Sequence, residues 1–263
     1  MTKERSLAAH YDASFYEDQK GGSFSTAREV IPVLISLVQP RSVLDVGCGV
    51  GSWLAAFMEH KIDDVAGVDG DYVDRDQMMI PASRFMGVDL RSKIDLKRQF
   101  DLVMSLEVAE HLPTSCSESF VETLTTHGKV VLFSAAIPGQ GGTNHINEQW
   151  PAYWQSLFEA RGYVLVDCLR DRFWDNRKVG ACYRQNMMLY VERSRLSADP
   201  ELVREFERAK NLPLSVVHPE VFSAVLSRPP SLRELLRALP HALSESIRLR
   251  AKRIGKLIRL GAR

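Results

Sequence analysis

The feature that most constrains this chain is the stretch Ser42-Val43-Leu44-Asp45-Val46-Gly47-Cys48-Gly49-Val50-Gly51-Ser52-Trp53, an apolar run closed by three alternating glycines. Val43, Leu44 and Val46 read as a short buried strand, because the run is β-forming and too short for a helix. The glycines demand a tight turn that admits positive φ and lets a ligand come close to the backbone. From Ser52 through Met58 a helix begins, and the N–H groups of its first turn face the glycines. Strand, glycine turn and helix in this order make one unit of an open α/β sheet, with a binding place at the turn.

The spacing selects what binds. A dinucleotide fingerprint runs Gly-x-Gly-x-x-Gly, whereas here Asp45 precedes Gly47, Gly49 and Gly51. A carboxylate at the mouth of the turn repels a pyrophosphate and attracts an ammonium group, which disfavours a nicotinamide oxidoreductase. S-adenosylmethionine carries an ammonium, a sulfonium and no phosphate. On these residues the chain resembles the class I S-adenosylmethionine-dependent methyltransferases, over roughly residues 41–193. The resemblance implies a Rossmann-like seven-stranded α/β sheet with an antiparallel last strand, and S-adenosylmethionine as cofactor. The implied donor site comprises Asp45, Gly47, Cys48, Gly49, Gly51 and Trp53, then Asp69 and Gly70, Asp89 and Leu90, and Leu106 and Glu107.

The remaining chain follows the same βα rhythm. Asp64–Asp69 reads as the second strand, and Asp69 at its tip suits both ribose hydroxyls, with Asp71 competing across Gly70. Arg84–Leu90 reads as the third strand, and the resemblance assigns the adenine amino group to Asp89 at its end. Phe100–Glu107 is the fourth, residues 117–124 have helical spacing, and Gly128–Ser134 is the fifth. A helix over Trp150–Arg161 and strands at Tyr163–Leu169 and Asn186–Glu192 complete the sheet. The last two strands are joined by a loop, Arg170–Ala181, into which no helix fits, so an antiparallel hairpin is expected. Ahead of the sheet, residues 1–24 hold Tyr11, Phe15, Tyr16 and Phe24 without a sustained period, which suggests a flap over the cofactor or a surface strap. Thr26-Ala27-Arg28-Glu29 has the form of a capping box opening a helix that Pro32 kinks. The expected organisation is therefore an N-terminal flap and helix (1–40), a donor-binding domain (41–193) and a helical, basic C-terminal extension (194–263).

Glu107, Glu110 and His111 form Glu-x-x-Glu-His at the carboxyl end of the fourth strand, the edge where open α/β sheets bind ligands. His145 follows in the glycine-rich loop after the fifth strand. Two readings are open. The four side chains suit a divalent metal, magnesium, manganese or zinc, and the pattern is similar to that of ubiquinone-pathway O-methyltransferases and small-RNA 2'-O-methyltransferases. Without metal, His145 or His111 serves as general base with Glu110 beside it, since neutral imidazole takes a hydroxyl proton near pH 7. Trp150, Tyr153, Trp154, Phe173, Trp174 and Tyr183, interleaved with Asp171, Arg172, Asp175, Asn176 and Arg177, suit a polyhydroxylated acceptor such as a sugar.

Composition sets the outer limits. The formal net charge of the 263 residues is +1, so no global field draws the protein to nucleic acid. The balance is uneven, however, for no acid follows Glu245 while Arg248, Arg250, Lys252, Arg253, Lys256, Arg259 and Arg263 do. Ile247, Ala251, Ile254, Leu257 and Ile258 recur on one face of that stretch, giving a basic amphipathic helix suited to anionic membrane, RNA or a protein partner. Cys48, Cys116, Cys168 and Cys182 form no CxxC pair, and no signal peptide or eighteen-residue apolar run is present. A cytoplasmic protein is expected, with peripheral contact at the inner face of the membrane. The function expected is O-methylation of a small molecule or glycan. An RNA 2'-O-methyltransferase, disfavoured by the lack of an RNA module, and a non-catalytic S-adenosylmethionine-binding module are the rivals.

Overall fold

The structure is a computed structural model that describes residues 13–229 and 232–261. They divide after Phe222 into two compact units. The first is built on seven strands, β1 (Ser42–Val46), β2 (Asp64–Asp69), β3 (Phe85–Gly87), β4 (Leu102–Leu106), β5 (Val130–Ser134), β6 (Tyr163–Val166) and β7 (Met188–Glu192), in the spatial order β3-β2-β1-β4-β5-β7-β6. Strands β1 to β5 pair in parallel, while β7 runs antiparallel to both β5 and β6. The direction of growth reverses between β1 and β4, which opens a crevice beyond their carboxyl ends. The sequence reading of the sheet, its seven strands and its antiparallel end, is what the structure contains.

Parallel strands are covered on both faces, so β1, β4 and β5 are buried at every residue. One face carries α1 (Ala13–Val38) and α2 (Ser52–Glu59), whose Ala27, Val30, Ile31, Leu34, Leu54 and Phe57 share a cluster with Val43, Leu102 and Leu132. The other carries α3 (Ser117–His127) and α4 (Pro151–Glu159), with Phe120, Leu124, Trp154 and Phe158 against Leu44, Val103 and Phe133. Phe158 stacks on Tyr190 of β7 with centroids 3.9 Å apart.

Several expectations are corrected. The Thr26–Glu29 pair does not open a helix, because α1 is already helical from Ala13 and passes through Gly21, Gly22 and Pro32. Its polar atoms have tertiary partners instead: Thr26 Oγ1 accepts from the Gly180 N–H at 3.0 Å, and Glu29 accepts from Asn176 at 3.1 Å. Tyr11 lies outside the described residues. The stretch between β6 and β7 is not helix-free, since α5 (Arg170–Phe173) and α6 (Ala181–Asn186) occupy it. A four-residue turn needs no extended apolar period, so none was legible there.

The boundary expected at residue 194 falls later. After α7 (Arg193–Ser197), α8 (Pro200–Ala209) is capped by Asp199 and buries Leu202 and Ala209 within the first unit. Its Glu205 pairs with Arg172, and its Arg208 pairs with Asp171. A short helix, α9 (Pro219–Ser227), crosses the division, and the second unit continues into α10 (Leu232–Gly261). No helix among the described residues is long and apolar enough to cross a membrane.

Candidate active site

The turn after β1 is shaped as its glycines demand. Gly47, Gly49 and Gly51 take φ values of 88°, 52° and 83°. A Cβ on Gly47 would run into Val108 just beyond β4, so the turn and the segment carrying Glu110 and His111 lie against each other. The N–H groups of Gly47 and Cys48 both donate to the Val68 carbonyl, at 2.7 and 3.2 Å, which ties the turn to β2.

Beside this turn lies a narrow pocket lined by Ser23, Asp45, Gly47, Cys48, Ser52, Trp53, Leu106 and Tyr183. Asp45 sits between Gly67 of β2 and Met104 of β4, 3% exposed. Burial, and then the charge of Asp69, push its pKa up to about 8. A carboxyl so buried ionises readily only when a cation is supplied. Asp69 is as buried but fully engaged, accepting from Gly49 N at 2.7 Å, Gly70 N at 2.6 Å and the Tyr72 hydroxyl at 2.7 Å. Those bonds oppose the upward pull of burial on its pKa.

Of the other expected donor residues, Cys48, Trp53 and Leu106 line the pocket. Asp71 is instead paired with Arg75 at 3.1 Å, and Asp89, beside buried Leu90, is held by Arg91 at 2.7 Å. Ser23, Ser52 and Tyr183 belong to the pocket without having been anticipated there. Ser23 comes from α1, so the N-terminal segment does reach the donor pocket, and its hydroxyl lies 3.2 Å from that of Tyr183. Tyr183, expected among acceptor aromatics, meets Trp53 edge-on at 5.5 Å. Its aromatic character was the available signal; its partner across 130 residues of chain was not.

Glu110, His111 and His145 form the second cluster, one donor atom from each lying within 4.8 Å of the others. Glu110 is 0% exposed, and neither carboxylate oxygen has a hydrogen-bond partner among the described residues. Burial first, and then the nearby Glu107, raise its pKa well above the carboxylate range. The rings of His111 and His145 meet edge to face at 4.9 Å. Burial, aided by His145, lowers the His111 pKa to about 4, so its imidazole is neutral at physiological pH. His145 is oriented from behind: its Nδ1 lies 3.0 Å from Glu148 Oε1, and Glu148 also accepts from the N–H groups of Gly139 at 2.7 Å and Gly141 at 2.6 Å. An ionised Glu148 accepts only, so Nδ1 carries the proton and Nε2 presents a lone pair. The His145 ring lies over Gly142, where any side chain would collide with it.

Glu107 does not join this cluster. With φ at 56° its carboxylate turns to Asn186 at 3.2 Å and Gln140 at 3.2 Å. Gln140 is in turn bonded by Gln185, which accepts from the His218 N–H at 2.8 Å. The ends of this amide chain, Glu107 and His218, lie far apart in sequence, so no local pattern announced it. The expected aromatic rim also divides. Trp154 and Phe173 are core residues, Trp174 packs on His218, and Trp150 remains exposed just ahead of α4.

The sequence pattern of a family described as a methyltransferase domain matches residues 24–167, more than half of the chain. The chain belongs to this methyltransferase family. No protein of curated function matches the sequence. Among solved structures, the sugar N-methyltransferase KedS8 from Streptoalloteichus superposes with a TM-score of 0.52 at 21% identity, over 69% of this chain and 93% of its own. DesVI from Streptomyces venezuelae gives 0.51 at 17% identity, over 68% and 96%. The methyltransferase domain of bacterial CtHen1 gives 0.47 at 17% identity, over 63% and 97%. The likeness to KedS8 and DesVI shows the methyltransferase fold, and membership of the methyltransferase family gives the cofactor as S-adenosylmethionine. The lining suits that molecule in its chemistry, for the buried carboxyl of Asp45 would attract an ammonium and the glycine backbone would admit close approach of a ligand.

Proposed function

We propose that this methyltransferase transfers its methyl group to a hydroxyl oxygen of a small molecule or glycan. The observation that carries the reading is the cluster of buried Glu110 with half-buried His111 and His145 next to the glycine turn, with Glu148 accepting from His145. A hydroxyl is a weak nucleophile until its proton is taken, whereas an amine needs no base once it is neutral.

S-adenosylmethionine, when bound, would supply an electrophilic methyl group and leave as a neutral thioether once the acceptor oxygen is methylated. His145 Nε2 would take the hydroxyl proton. Glu148, accepting from Nδ1, stabilises the imidazolium that results. Alignment of acceptor, methyl and sulfur supplies much of the rate, and the packed turn against Val108 holds donor and base in register. The same three side chains would hold a divalent cation, magnesium, manganese or zinc, which when bound would make the hydroxyl more acidic. Exposed Trp150 at the start of α4 favours a ring-shaped acceptor whose C–H face can stack.

Methyl transfer is to be assayed against a panel of free and lipid-linked sugars, phenols, and RNA ending in a 2',3'-diol. Transfer to an oxygen of a small acceptor is expected. Transfer only to amines, or only to RNA, overturns the reading. Metal analysis of protein purified without chelator, followed by assay in chelator, separates the two forms of the mechanism: full activity in chelator leaves His145 alone as the base.

A further inference from the structure

Helix α10 has the composition of a surface that is meant to be covered, yet its apolar side is open. Leu235, Leu236, Leu239, Leu243 and Ile247 are each more than half exposed, with Leu236 at 61% and Ile247 at 68%. Positions 236, 239, 243 and 247 follow the helical period and make one stripe, while Arg237, His241 and Arg248 fall on the opposite side. The sequence extends the stripe at Ile254, Leu257 and Ile258. Between Leu232 and Gly261 there are eight lysines and arginines against Glu234 and Glu245 alone, so the whole-chain charge of +1 conceals a strongly basic helix on an acidic remainder.

We propose that α10 is an interfacial helix that lies in the surface of an anionic lipid bilayer. The choice of occupant follows from charge and apolarity together. A second copy of the helix would cover the leucines but set basic side chains beside basic side chains along the final turns, where no acid follows Glu245. RNA would neutralise the cations and leave the leucine stripe in water. An anionic bilayer does both, taking the stripe into the acyl boundary and the arginines into the headgroups. Crossing is excluded for this helix, since it is not apolar enough to span. The helix would hold the methyltransferase unit at the surface where lipid-borne acceptors are found.

The full chain is to be floated with vesicles of phosphatidylcholine alone and with vesicles containing roughly a third phosphatidylglycerol. Recovery with the anionic vesicles is expected to exceed that with neutral ones by about tenfold and to fall as salt is raised. The variant Leu236→Glu/Leu243→Glu/Ile247→Glu and the variant Arg248→Gln/Arg250→Gln should each lose most of it. S-adenosylhomocysteine should protect both variants from heat as it does the parent, which reports that the first unit is folded. Equal recovery of parent and triple-glutamate variant overturns the proposal. So does retention on RNA without vesicle binding, or a dimer in sedimentation that the glutamates dissolve while vesicles have no effect.

Discussion

The donor turn and the acceptor cluster are neighbours built on opposite plans. The turn is local: Asp45 to Trp53 are consecutive, three glycines set the backbone, and one buried carboxyl awaits a cation. The cluster is assembled across elements, with Glu110 and His111 after β4, His145 in the loop after β5, and Glu148 behind it. Its geometry rests on side chains rather than on backbone. The difference teaches that donor recognition should respond to substitution in an almost all-or-none manner, whereas the acceptor side should degrade in steps.

The largest effect is expected at Asp45. Asp45→Ala removes the only carboxylate that the described residues contribute to the pocket lining and should weaken S-adenosylhomocysteine binding by about a thousandfold, read by calorimetry. If affinity falls less than tenfold, the turn is not organised around an ammonium. His145→Ala should lower kcat by about a hundredfold while donor affinity stays unchanged, which is the contrast between the two regions in a single variant. Glu148→Gln should cost about tenfold in kcat, because the ring keeps its place but loses the carboxylate that orients it. A Glu148 change that altered donor affinity instead would merge the two regions into one.

The smallest effect is a proton count. The Asp45 pKa stands at about 8 in the donor-free protein, above the ordinary value of 3.8. The folded state therefore holds this proton more tightly than the unfolded chain. Its stabilising contribution is complete below about pH 4 and is lost as pH rises through 8. Binding an ammonium reverses the preference, so at pH 7 donor binding should release close to one proton. Calorimetry in two buffers of different ionisation enthalpy measures it, and the release should vanish above about pH 9 and in Asp45→Asn.

His127 shows why residue type alone did not reveal the site. It is fully buried, yet its Nε2 accepts from Leu96 N at 2.9 Å and its Nδ1 reaches the Thr123 carbonyl at 2.7 Å, so it closes a loop and has no capacity left. His145 looks no different as a letter in the sequence, and only its position beside Glu110 gives it chemistry. The same holds for Asp171 and Arg172, which suggested a sugar site and serve instead to fasten α8. The Thr26–Glu29 pair misled similarly, since a capping box and a pair of tertiary anchors use the same atoms.

By itself the sequence determined the strands, the glycine turn and the antiparallel end of the sheet. These depend on periods of two and 3.6, on runs of β-formers and on backbone freedom at Gly47, all properties of adjacent residues. Tertiary structure alone decided that Glu107 bonds to amides while Glu110 has no hydrogen-bond partner among the described residues, that Tyr183 and Ser23 enter the pocket beside the glycine turn, and that α8 belongs to the first unit. Such outcomes turn on which side chains meet across long stretches of chain, and desolvation there outweighs any local preference.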